Sequence, residues 1–425
     1  MNILRALVGL AVICLIAWAL SSHRRRFPWR IVLLGIATQV LFAGLFLATE
    51  SGQSAFRAVA GFVGELIGKT QPGADLVFGP LADPAKMAPI FGPQNAFVFA
   101  FAGRGLVAIL FFSALMAVLY HIGIMQVVVW VVARAMMLTL RVSGAEAMAV
   151  AANIFVGQTE APLVVRPYIE AMTDSELNAM MTGGFATIAG TVLALYLGFL
   201  GPEYGPHLIT ASVLGAPAAF VIAKIMLPEV GRSQTAGAIP LRMERTAGNV
   251  IEAASNGTRD GLTLWLNVIA MLITFTALVA LIDWPLGALG HAMNVDGQLS
   301  LGRIFGWVLA PFALLLGVEG WNDAQVFGNL LGVKLTLTEL VAFSQMQSML
   351  PGGSAELVFA SPRSATMATY ALCGFANFAS IGVQIGGITT LAPTRAKDIA
   401  RLVTRAMVGG ALASCSSAAI AGAFL

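Results

Sequence analysis

Six runs of about twenty apolar residues punctuate this 425-residue chain, and they constrain its fold more than any other feature. A helix of that length matches the roughly 30 Å of bilayer hydrocarbon. The runs are Ile3–Leu20, Ile31–Ala48, Phe97–Tyr120, His207–Leu227, Leu262–Ile282 and Ile399–Phe424. Two further stretches, Asn178–Leu200 and Ala365–Leu391, are long enough to cross but rich in Gly, Thr, Asn and Ser. Backbone in hydrocarbon must satisfy its own hydrogen bonds, and continuous apolar runs do so as helices. The chain is 58% hydrophobic and only 11% charged, against about 25% charged for a soluble domain. The expected fold class is an all-α polytopic membrane protein.

Several other classes drop out. The formal charge of +3 comes from basic residues in short loops, so no nucleic-acid partner is expected. Cys14, Cys373 and Cys415 lie in apolar segments without ligand spacing, which argues against a disulfide framework or a metal site. Residues 1–21 resemble a signal peptide, but no small-x-small cleavage site follows, and that order suits a retained first span. The stretch "AFRAVAGFVGELIGK" between Ser51 and Pro93 is amphipathic and reads as an interfacial helix.

Lys and Arg in short loops set orientation. "SSHRRRFPWR" is strongly basic and should be cytoplasmic, which places the N-terminus outside. Alternate counting then leaves "GPEYGPH", without Lys or Arg, outside. It places Arg232, Arg242, Arg245 and Arg259 inside, with Arg395, Lys397, Arg401 and Arg405. Eight crossings result, with both termini outside. Lys224, near the cytoplasmic end of the fifth span, is expected to snorkel toward lipid headgroups.

Two segments break this parity. Val142–Ile169 begins and ends near Arg141 and Arg166, and Leu314–Met346 must enter and leave from outside. Each carries an acid and a glycine in its middle. A carboxylate at bilayer depth costs several kcal/mol unless it is partnered or wet. Irregular backbone there survives only in protein or against a cavity, so both segments read as re-entrant hairpins. Their sequences match: "ANIFVGQTEAPL" and "GNLLGVKLTLTEL" share Asn, a short apolar run, Gly, Thr-Glu and Leu in order. Downstream, "GFATIA" (Gly184–Ala189) and "GFANFA" (Gly374–Ala379) agree at four of six positions. Hairpins entering from opposite faces make an inverted repeat, the architecture of many secondary transporters, with substrate held near the midplane at broken helices. Gly184, Gly190, Gly374 and Gly382 suit such breaks, and Asn377 is expected in the middle of an apolar helix, where its amide must find partners. Glu146 and Asp323 lie near the starts of the hairpins' first helices, where the macrodipole favours acids.

With "NIFVGQTEAPL", "GWNDAQVFGNLLGVKLTLTELVAF", "LCGFANFASIGVQIGG" and "NVIEAASNGTRDGL" assembled, the chain resembles the concentrative nucleoside transporters, from about Ala96 to the C-terminus. The resemblance implies a homotrimer whose transport domains move like elevators against a scaffold, with sodium as coupling ion. It implies that Gln158, Thr159 and Glu160 read the nucleobase, with Val192 lining its pocket. Glu339, Asn377 and Ser380 would hold the ribose, and Phe375 would wall the site. Sodium would be held by the side chains of Asn153 and Thr187 and the carbonyls of Val156 and Ile188. This chemistry suits a nucleoside such as uridine: an amide offers donor and acceptor to a base edge, and a carboxylate accepts two sugar hydroxyls.

The expected division is 1–120 for N-terminal scaffold and interfacial helix, 121–200 for the first hairpin and broken helix, 201–295 for scaffold helices and connector, and 296–425 for the second hairpin, broken helix and last helix. Function is expected to be sodium-coupled nucleoside import, with proton coupling (of nucleosides or nucleobases) as the alternative, since Glu160 or Glu339 could carry a proton. A membrane hydrolase would need a nucleophile and base or a metal triad. His23, His121, His207 and His291 avoid span centres, and HExxH and GxSxG do not occur. An enzyme is not expected. A channel filter would not require an amphoteric set such as Gln158 with Asn377.

Overall fold

The structure is a computed structural model that describes residues 2–91, 104–237, 247–293 and 299–425. Residues 97–103 of the expected third span, and the loop bearing Arg242 and Arg245, lie outside the described residues. Every regular element described is helical. In chain order they begin α1 (Asn2–Ala19), α2 (Trp29–Ala43, extended by a π-turn to Ala48), α3 (Glu50–Gly68), α4 (Gln71–Phe78), α5 (Pro84–Phe91) and α6 (Arg104–His121). A first unit follows: α7 (Ile124–Leu140), α8 (Gly144–Asn153), α9 (Arg166–Ile169), α10 (Asp174–Ala186), α11 (Gly190–Leu200) and α12 (Gly205–Met226). After the long α13 (Val250–Ala292), a second unit repeats the pattern. It comprises α14 (Leu301–Leu316), α15 (Gly320–Thr336), α16 (Glu339–Met349), α17 (Pro362–Leu372), α18 (Phe378–Leu391) and α19 (Ala396–Phe424).

The eight crossings correspond to α1, α2, α6, α12, α13 and α19, with α10/α11 and α17/α18 as two broken spans. The matched hexamers straddle both breaks. In the first, the chain unwinds over residues 187–189, and in the second over residues 373–377. Of the four glycines expected there, Gly190 opens α11 and Gly374 lies in the second break at φ +136°, a backbone that a side chain would strain. Gly184 and Gly382 instead lie inside α10 and α18.

Two helices escaped the span count. α7 and α14 are apolar, but at 17 and 16 residues each is only about 25 Å long, short of the hydrocarbon thickness. Each meets its neighbour at a sharp bend, 79° between α6 and α7 and 113° between α14 and α15. They therefore leave the parity of the crossings unchanged. The second hairpin accordingly starts at Gly320 rather than Leu314, because Leu314–Leu316 close α14. The amphipathic stretch after Ser51 forms α3, as its pattern implies.

Helix starts follow local chemistry. Ser143 with Glu146, and Thr173 with Glu176, form capping boxes on α8 and α10. Asp323 accepts from the amides of Ala360 and Ser361, pinning the second hairpin to the loop before α17. The last helix is small-residue rich and lies against α1, α10, α12 and α17. At Gly410 a methyl group would collide with Phe185, so glycine sets how closely α19 approaches α10. On the other side, α6 packs along α13 and α11.

Candidate functional site

The hairpin tips and both breaks converge on one cavity of about 1510 Å³. That exceeds the roughly 300–1,000 Å³ typical of small-molecule sites, leaving room for water and an access route. Gln158, Thr159, Glu160, Val192, Glu339, Phe375, Asn377 and Ser380 all line it. The sequence reading therefore brought together residues from four segments of the chain.

The acids differ in how they survive. Glu160 is exposed at the lining of the cavity. Its side chain folds back over Gly157, where a Cβ would clash with Glu160 Oε2. Glu339 is 6% exposed and is held by partners instead. Tyr196 donates to Glu339 Oε1 at 3.1 Å, and the Asn377 amide donates to Oε2 at 2.7 Å. Thr338 caps α16, so Glu339 occupies its first turn, where the helix end favours negative charge.

Asn377 is not in the middle of a helix, as its apolar surroundings suggested. It is the N-cap of α18: its Oδ1 accepts from the Ser380 amide at 2.8 Å while its Nδ2 holds Glu339. One side chain thus satisfies the broken helix and orients the acid. Thr159 packs on Gly387 of α18, joining the first tip to the second broken helix. Val192 is buried near the start of α11, and Phe375 is half-buried within the second break.

The four residues expected around sodium meet where the first tip abuts the first break. The Thr187 hydroxyl lies 2.9 Å from Asn153 O and 2.9 Å from Gly183 O, and the Gly190 amide donates to Phe155 O at 3.0 Å. These bonds bring residues 153–156 against residues 187–190. The Asn153 amide oxygen is buried with no hydrogen-bond partner among the described residues. Such an orphan costs about 1–3 kcal/mol, and a cation would relieve it. Oxygen donors of this kind suit a hard monovalent ion.

Three residues in or near the site were not anticipated. Tyr196 follows Val192 by one helical turn, is fully buried, and stacks on Phe343 of α16 with ring centroids 4.3 Å apart. Its position in "TVLALYLGFL" was the visible signal, a hydroxyl in an apolar span four residues after a cavity residue. Lys334 is fully buried in the second hairpin and donates to Ala371 O at 2.8 Å and Ser414 Oγ at 3.3 Å. Its ammonium sits at the carbonyl end of α17, where a cation complements the helix dipole. Gln384 of α18 reaches across to Gln158.

Lys224 does not snorkel. It is 2% exposed, and its ammonium lies 2.6 Å from Glu146 Oε2 and 3.0 Å from Ser175 Oγ. The pair ties α12 to the first hairpin and to the start of α10, and it explains the acid at position 146 better than the dipole alone.

The N-terminal model of the Na+ dependent nucleoside transporters matches residues 8–81, and a "nucleoside recognition" gate model matches 104–203. The C-terminal model of the same transporters matches residues 207–422, half of the chain. The chain belongs to the concentrative, Na+ dependent nucleoside transporter family. An uncharacterized transporter of Haemophilus influenzae is 43% identical over all of this chain and 98% of its own length. Sodium/nucleoside cotransporter 2 of the mouse is 38% identical over 97% of this chain, which spans 61% of that longer protein. The solved structure of CNTnw in an inward-facing substrate-bound state superposes with a TM-score of 0.91 at 40% identity, covering 100% of this chain and 98% of that one. A variant of CNTnw in an outward-facing state gives the same TM-score.

Proposed function

We propose that this transporter is a sodium-coupled symporter that imports nucleosides such as uridine across the bacterial inner membrane by an elevator-type alternation. The observation that carries this reading is the composite cavity. A carboxylate aimed by Tyr196 and Asn377 stands on one side, and Gln158 with Thr159 stands on the other. A nucleoside presents the complementary edges: a diol that donates to the carboxylate, and a base whose hydrogen-bonding rim suits an amide and a hydroxyl. Phe375 and Val192 supply apolar surface for the flat ring.

Sodium coupling is supported by the first tip. An amide oxygen cannot carry a proton at neutral pH, so the unpartnered Asn153 Oδ1 favours a metal cation over proton coupling there. Thr187 keeps lone pairs available after donating its single proton, and the Val156 and Ile188 carbonyls belong to the two adjoining irregular segments. When bound, sodium would hold tip and break together and so preform the base-facing residues that follow Val156. Asn153→Ala should raise the sodium concentration for half-maximal uptake about tenfold, equivalent to about 1.4 kcal/mol of lost ligation. An unchanged sodium dependence, measured with uridine at saturation, would remove Asn153 from the ion site.

The moving body in this reading contains both hairpins, both broken helices, α19 and also α12. The buried Lys224–Glu146 pair fixes α12 to the first hairpin, so the expected scaffold unit 201–295 divides between α12 and α13. The scaffold then includes α6 and α13, which pack along each other. Much of α13 faces outward with exposed apolar residues such as Leu266, Ile273 and Trp284, a surface suited to lipid or to neighbouring copies in a homotrimer. In this reading both chain termini face the outside.

A further inference from the structure

One buried amide beside the cavity decides how another is presented. Gln384 is 1% exposed and lies on α18, outside the lining of the cavity. Its Nε2 donates to Met181 O of α10 at 3.1 Å and to Gln158 Oε1 at 3.1 Å. A main-chain carbonyl can only accept, so Met181 dictates that Gln384 turns its NH2 toward it. The second hydrogen of that NH2 then points at Gln158, which must answer with oxygen. Rotating the Gln158 amide would set NH2 against NH2.

Sterics hold the relay in place. A Cβ on Gly184 would lie 2.8 Å from Gln384 Nε2 and 3.0 Å from Gln158 Cβ, so the two side chains fill the space that this glycine leaves. Gln384 Oε1 is buried without a partner among the described residues, a cost that an apolar side chain of the same size would avoid. The Nε2 of Gln158 has no protein partner among the described residues and borders the cavity.

We propose that Gln384 is a positioning residue that locks the amide of Gln158, so that the site offers the base a donor and selects bases with a hydrogen-bond acceptor at that point. The inference rests on the reading of Gln158 as a base-facing residue. Its chemistry crosses the repeat: the second broken helix sets the polarity of the first hairpin's reader.

The test compares binding of uridine with cytidine and isocytidine, which exchange a ring carbonyl for an amino group at C4 and C2. The purified transporter is used in sodium, with 3′-deoxyuridine as a control that reports only the ribose end. Wild type should disfavour one of the two amino-bearing bases by about tenfold or more, as expected for a site whose donor meets a donor. Gln384→Met frees Gln158 to turn, and the penalty should fall below about threefold. Gln384→Glu, nearly isosteric and protonated in this buried place, gives its one hydroxyl proton to Met181 O and accepts from Gln158 Nε2, which turns the Gln158 oxygen to the cavity and moves preference toward the amino-bearing base. In a Gln158→Ala background neither change should alter base preference. If both variants keep the wild-type order of bases, or if they weaken 3′-deoxyuridine discrimination in step, Gln384 is merely structural and the inference fails. If wild type binds no nucleoside at all, the reading of the site fails first and this inference with it.

Discussion

Replacing Glu339 by Gln should lower uridine uptake at least about a hundredfold while leaving the transporter folded. The carboxylate is the acceptor for two donors already in place, Tyr196 at 3.1 Å and the Asn377 amide at 2.7 Å. An amide has one oxygen: if it serves the Asn377 amide, its NH2 faces Tyr196, whose hydroxyl must then accept instead of donate, and no second acceptor remains for the sugar. The ribose hydroxyls would also lose a charged acceptor. Hydrogen bonds to charged groups contribute about 1.5–3 kcal/mol each, and two of them convert to at least a hundredfold. Uptake into vesicles, beside a thermal-stability profile of the same purified variant, separates loss of the site from loss of the fold. Uptake within threefold of wild type would take Glu339 out of substrate recognition.

The second large effect lies away from the cavity. Lys224→Met should be strongly destabilising, because it leaves Glu146 charged and 2% exposed with its countercharge gone. Breaking a buried ion pair from one side costs about 3–5 kcal/mol, whereas removing both charges together is often nearly neutral. Glu229 also lies 3.7 Å from the Lys224 ammonium and would lose its attraction, though it is partly exposed and counts for less. The melting temperature in detergent should therefore fall sharply for Lys224→Met and recover in Lys224→Met with Glu146→Gln. A double variant no more stable than the single would mean that the pair does not hold the first hairpin to α12.

How much of this was legible in the sequence depends on the length scale of each feature. The eight crossings and the paired hairpins follow from apolar runs and from parity, both sums over many residues. The breaks were legible because the matched hexamers mark them twice. α7 and α14 were not, since a count tuned to twenty-residue runs passes over helices of 17 and 16 residues that bend away from their neighbours. The polar residues of the cavity came from motif and resemblance, and the structure brings them together. Partners were harder to see. Lys224 looked like a surface anchor because its acid lies 78 positions earlier, across three intervening helices. Tyr196 and Gln384 act through hydrogen bonds to residues 143 and 226 positions distant, and no local pattern encodes such a distance. Asn377 was noticed for its polarity yet misplaced within its helix, because only the fold shows that the helix begins there.

In the proposed mechanism one composite site couples the sodium gradient to a nucleoside. The most direct measurement is uptake of labelled uridine by proteoliposomes that contain only this purified chain, with sodium high outside and low inside. Uridine should accumulate several-fold above the external concentration, and the accumulation should collapse when choline replaces sodium or when the gradient is dissipated. Simple equilibration of uridine, or accumulation that persists without sodium and follows a proton gradient, would contradict it.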